Sequence, residues 1–96
     1  MTRRETVLVH KREAIKQAAA RNRAKSIALC GSVARAEDGE DSDYDFLVDF
    51  LSGTGLFTMA GLRLELEDIL GEKVDLVSTK SLRDRCSGMR DDAIVL

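Results

Sequence analysis

The sequence predicts one small α/β (α+β) domain spanning residues 1–96, a mixed β-sheet flanked by helices. Three observations carry this. Apolar runs at residues 26–30, 45–50 and 74–77 are short and bounded by turn-forming residues, as strands are. Between the second and third runs, Met59, Leu62, Leu66 and Ile69 recur at helical spacing. Ninety-six residues suffice for a single core and leave none for a second lobe.

Taken in order, Thr2, Arg3, Arg4 and Glu5 have capping-box spacing, and Leu8, Ile15, Ala18 and Ala19 make an apolar stripe. A first helix is expected from about residue 3 to 21. The first strand covers 26–30 and stops at Gly31; the second covers 45–50 and stops at the turn Ser52, Gly53, Thr54, Gly55. Thr54 or Gly55 caps the next helix. That helix buries its apolar stripe, turns Arg63 and Glu67 outward, and ends near Leu70 because Gly71 supplies a C-terminal stop. After the third strand at 74–77, Ser78 or Thr79 caps a charged helix reaching about Asp91, and residues 93–96 add a short edge strand.

The chemistry concentrates between the first two strands. Gly31 lets the backbone approach a ligand, and successive amides with the Ser32 hydroxyl can donate to phosphate oxygens. Val33, Ala34 and Arg35 form a short helical turn beyond them. Ser42, Asp43, Tyr44 and Asp45 then open the second strand. With one residue between them, Asp43 and Asp45 project from the same face of an extended chain. Two hard oxygen donors on a rigid strand suit Mg²⁺, which keeps its other positions for water and substrate phosphate. The reading is a phosphate cradle beside a metal site.

Other motifs fail at particular positions. An EF-hand starting at Asp41 needs Gly at its sixth place and Glu at its twelfth, where Phe46 and Ser52 stand. A Walker loop needs Gly-Lys-Ser or Gly-Lys-Thr, where Ala36 and Glu37 stand. Cys30 and Cys86 lack CxxC spacing and His10 is the single histidine, so zinc chemistry and a disulfide framework are not supported. Cys30 reads as a small buried hydrophobe and His10 as a surface residue.

Fifteen Lys and Arg against seventeen Asp and Glu leave no global basic field for nucleic acid. The first quarter is locally basic, with Arg3, Arg4, Lys11, Arg12, Lys16, Arg21, Arg23 and Lys25; it reads as a solvated helix face rather than a binding surface. No apolar stretch approaches the ~20 residues of a membrane span, and no secretory signal is apparent, so a cytoplasmic protein without membrane contact is expected.

Gly31-Ser32, then Arg35, then Ser42, Asp43 and Asp45, resembles the signature of the DNA polymerase β-like nucleotidyltransferases, and specifically their smallest members, the minimal nucleotidyltransferases. The resemblance runs from about Ile27 to about Leu96 and implies the palm-like fold of that superfamily. It implies a third carboxylate from a later strand, a role that Asp75 fits within Val74, Asp75, Leu76 and Val77. The stretch from Leu56 through Glu67 looks like the family's intervening helix. Ala36 departs from the pattern, which has Gly after the Arg.

What the resemblance implies about function is specific. Asp43, Asp45 and Asp75 would be catalytic and would hold two Mg²⁺ ions, while Gly31, Ser32, Arg35 and Ser42 would bind the nucleotide phosphates. Arg35 either pairs with a motif carboxylate or contacts the triphosphate. ATP would be the substrate and a nucleoside monophosphate the group transferred. Larger relatives carry extra domains for base and acceptor, for which this chain has no residues, so a partner is expected to complete the site. In this family that partner is commonly a HEPN-type RNase toxin in a hetero-oligomer, neutralised by AMP placed on a tyrosine. A non-catalytic subunit that neutralises the same partner by contact alone is the alternative. A nucleic-acid-modifying transferase is a weaker third, opposed by the charge balance.

Overall fold

The computed structural model describes residues 2–40, 42–79 and 93–96. The elements run α1 (Arg3–Glu5), a wide π-type turn (Thr6–His10), α2 (Arg12–Arg21), β1 (Ala24–Cys30), α3 (Gly31–Ala34), β2 (Tyr44–Phe50), α4 (Leu56–Leu70), β3 (Val74–Ser78) and β4 (Ile94–Val95). The expected charged helix from residue 78 or 79 to 91 lies outside the described residues, apart from its first positions.

The single N-terminal helix of the sequence reading is instead broken. Thr2 caps it as expected, its Oγ1 accepting the Glu5 amide at 3.0 Å. The wide turn then carries the chain to Lys11, whose φ of −113° and ψ of 3° leave the helical range before α2 begins. One consequence is that Val7 is fully enclosed while Leu8 is only partly buried against the core. Farther along, Asn22 closes α2 by donating Nδ2 to Ala18 O at 2.8 Å and to Glu65 Oε2 of α4 at 2.6 Å, tying the two helices together.

The four strands lie in the order β3-β2-β1-β4. β1 pairs antiparallel with β2 and with β4, whereas β2 and β3 are parallel, joined through α4. A parallel pair cannot be closed by a hairpin, so a helix crosses over between them. Gly71 ends α4 with φ of 70°, and its amide donates to Glu67 O at 2.7 Å, the left-handed stop expected there. Glu67 itself does not simply face outward: its Oε2 accepts the Val74 amide at 3.1 Å and so caps the start of β3.

Alternation along the strands divides the sheet into two unlike faces. Ile27 and Leu29 of β1, with Tyr44, Phe46 and Val48 of β2 and Val74 of β3, pack with Ile15 and Ala18 of α2 and Leu62 and Leu66 of α4. Each large side chain so enclosed contributes on the order of 1.5–3 kcal/mol. Ala28, Cys30, Leu47 and Val77 form a smaller cluster of their own, joined by Ala93. Asp45, Asp49 and Asp75 alternate with these and share their side of the sheet. Among the described residues no helix is long and apolar enough to cross a membrane.

Candidate active site

Cys30, Asp45 and Asp75 occupy one rung of the sheet. Cys30 is the antiparallel partner of Asp45, and Asp45 the parallel partner of Asp75. Neighbouring strands lie about 4.8 Å apart, so two carboxylates on different segments of the chain become lateral neighbours through the sheet itself. Asp43 stands two residues before Asp45, exposed, at the entry to β2. Period-2 geometry puts it on the face of Asp45, and its charge acts there.

That electrostatic neighbourhood bears on Asp45 and Cys30. The Asp45 carboxyl is raised above its ordinary value by burial, then by the charges of Asp75 and Asp43, with Arg35 acting the other way. Burial, Asp45 and Asp75 likewise push the Cys30 thiol up to about 12, so Cys30 stays a neutral, enclosed thiol and is no nucleophile. Among the described residues no group of three His, Cys, Asp or Glu side chains is arranged to hold a metal ion. Asp43, Asp45 and Asp75 form a cluster of like charge.

Gly31 presses its backbone against this cluster. Its φ is +73°, and a Cβ there would collide with Asp45 Oδ2 and stand 3.1 Å from Asp45 Cβ and Cγ. Any side chain would fill the space between turn and carboxylate. The turn continues through α3, where Arg35 N donates to Gly31 O at 3.2 Å and Glu37 N to Ser32 O at 2.8 Å. Arg35 pairs through Nε with Glu37 Oε2 at 3.0 Å while its charge still reaches Asp45 and Cys30. Ala36 follows with φ of 58°, a left-handed backbone at the position where the chain departs from the Gly of the family pattern.

Ser42 is engaged in its own loop: Oγ accepts the Gly39 amide at 2.9 Å, and its amide donates to Gly39 O at 3.1 Å. This locks the turn that leads into Asp43. Gly31, Ser32, Asp43, Asp45 and Asp75 are therefore brought to one end of the sheet, with Arg35 at its margin and Ser42 as a brace.

Two basic residues of the N-terminal segment also bond to this region, Arg3 half-buried instead of solvated and Arg4 exposed as expected. Arg3 reaches Asp38, Gly39 and Glu40 of the loop before β2 and Glu72 of the turn before β3. Arg4 Nε donates to Ala34 O at 3.2 Å, at the end of α3. No local spacing announces a partner such as Glu72, 69 residues away.

The donor set suits Mg²⁺. Carboxylate oxygens are the hard ligands that ion takes, the cluster carries excess negative charge, and the Gly31 backbone leaves open the space beside Asp45.

Known proteins share this fold. A solved structure provisionally described as a minimal nucleotidyltransferase superposes with a TM-score of 0.86 at 43% identity, covering 100% of this chain and 97% of that one. A crystal structure of a toxin-antitoxin with AMP-PNP superposes with a TM-score of 0.62 at 25% identity, covering 72% of this chain and 57% of that one. The protein adenylyltransferase MntA of Thermococcus cleftensis is 44% identical over 59 residues, 62% of this chain and 60% of that protein. The chain spans about three fifths of the length of the first curated relatives it matches. The Polymerase beta, Nucleotidyltransferase family model matches residues 13–88, which include Gly31, Ser32 and all three aspartates, and the chain belongs to that family.

Proposed function

We propose that this chain is a Mg²⁺-dependent nucleotidyltransferase that moves AMP from ATP to a tyrosine hydroxyl of a HEPN-family RNase toxin, and so acts as its antitoxin. The observation that carries the reading is the rung joining Asp45 to Asp75, with Asp43 beside it and the side-chain-free Gly31 backbone against it. The protein partner is supported by likeness: one relative bears the name protein adenylyltransferase, and one structural neighbour is a toxin-antitoxin structure with AMP-PNP.

Asp43, Asp45 and Asp75 would hold two Mg²⁺ ions, which when bound neutralise triphosphate charge and acidify the acceptor hydroxyl. Gly31 and Ser32 bind the phosphates through backbone amides and the Ser32 hydroxyl, and Arg35 adds positive charge at the margin. Asp75, the more exposed of the paired carboxylates, takes the proton of the acceptor. The tyrosine oxygen forms a bond to the α-phosphorus as the bond to the β-phosphate oxygen breaks, and pyrophosphate leaves. AMP on the partner adds a bulky anion beside an RNA-cleaving centre and repels phosphate there.

Incubating the chain with a HEPN-family RNase encoded beside it, should one be found there, with Mg²⁺ and ATP should add the mass of AMP to a tyrosine of that protein and abolish its RNase activity. The Asp43→Asn, Asp45→Asn double variant should do neither. Neutralisation undiminished in that variant, with no AMP on the partner, would establish the contact-only antitoxin in place of the enzyme.

A further inference from the structure

The carboxylates of the rung come from two strands whose entry points are separate pieces of chain, and one side chain outside the sheet joins those pieces. Arg3 donates Nη1 to Asp38 Oδ2 at 3.1 Å and to Gly39 O at 2.7 Å, and Nη2 to Glu40 O at 3.2 Å. The same guanidinium donates Nε and Nη2 to Glu72 Oε1 at 3.0 and 2.8 Å. Residues 38–40 lie on the loop that delivers Asp43 and Asp45 to β2. Glu72 lies three residues before Asp75, on the turn that delivers it to β3.

We propose that Arg3 is a positioning residue, setting the separation between the β2 carboxylates and the β3 carboxylate by clamping the two strand entries to each other. This rests on the metal-site reading above. A planar fork with donors on three nitrogens can satisfy two segments at once; a lysine ammonium supplies charge without that geometry. The clamp has a firm base, since Val7, one helical turn beyond Arg3, is fully buried in the core. With its side chain 20% exposed, Arg3 is part of the packed structure and not a mobile surface charge. Beneath it the entries are also linked directly, Tyr44 N donating to Lys73 O at 3.1 Å. Tyr44 itself is buried, so this link lies within the packed core.

The test uses the full chain as wild type, Arg3→Lys, Glu72→Gln and Asp75→Asn, read by amide hydrogen exchange and by Mn²⁺ binding followed through electron paramagnetic resonance. Arg3→Lys and Glu72→Gln should each speed exchange about tenfold at the Ser42 and Tyr44 amides, while Leu51, at the far end of β2, exchanges as before. Both should weaken Mn²⁺ about tenfold, the low end of what losing a residue that orients metal ligands costs. Exchange unchanged at the strand entries overturns the clamp, as does wild-type Mn²⁺ affinity in both variants when Asp75→Asn has lost it. Failure of the wild type itself to bind Mn²⁺ overturns the metal site and the positioning role together, and is told apart by the exchange result, which needs no metal.

Discussion

In protein stripped of metal, Asp45 carries a carboxyl that burial, Asp75 and Asp43 all hold above its ordinary value. Such a group binds more protons folded than unfolded, so stability falls as pH rises from the usual carboxylate value of about 4 through the raised native one. In EDTA, melting temperature should therefore decline across that window in the wild type. Asp45→Asn should melt higher at pH 7 with a flatter profile; parallel profiles would mean that Asp45 bears no such burden. Ala36 offers an independent test nearby. Its left-handed φ of 58° costs an L-residue about 1–2 kcal/mol, while glycine adds unfolded-state entropy worth about 0.4–1 kcal/mol. Ala36→Gly should therefore gain about 0.5–1 kcal/mol in urea denaturation with the denaturant slope unchanged. At this scale Gly31, Asp43 and Asp45 were legible because their signal is local: a turn residue after an apolar run, and a period-2 pair. Asp75 was legible through the family pattern alone. Arg3 was not legible at all, since its partners are assembled by the fold.

Elements were read well where one physical cause dominates. Gly71 ends α4 because only a residue free of Cβ strain adopts φ of 70° cheaply, and the apolar stripe of α4 buries Leu62 and Leu66 as its spacing requires. The N-terminal helix was misread because capping and periodicity do not register a wide turn, which shifts the buried face from Leu8 toward Val7. Glu67 was misread for a related reason: helical periodicity assigns a face but cannot see a strand start returning to it. That bond has a measurable worth. Glu67→Ala leaves the Val74 amide without its acceptor beside a buried side chain and should cost about 1–2 kcal/mol, read by chemical denaturation. Glu67→Gln, which keeps an oxygen there, should stay close to wild type. Equal losses in both would assign the effect to charge, through Arg63 at 3.9 Å, and not to the cap.

Across the whole molecule, the site and the two most exposed large apolar side chains lie at opposite ends of β2. The aspartates gather where β2 and β3 begin, while Leu56 and Phe57, 82% and 97% exposed, project where β2 has ended and α4 starts. The molecule is also asymmetric from edge to edge. β4 covers β1 with only two residues, Val95 opposite Ala28 and Ile94 opposite Leu29, helped by Leu96 N donating to Ile27 O at 3.0 Å. So short a strand adds few hydrogen bonds to the sheet, and its release should be a frequent sub-global opening. Each opening bares the hydrogen-bonding groups of an apolar strand, the template on which chains add to one another. Deleting residues 94–96 should thus leave a folded domain whose light scattering rises with time and concentration, whereas the full chain stays constant. Ile94, Val95 and Leu96 would then act less as structure than as a guard against self-association through the β1 edge.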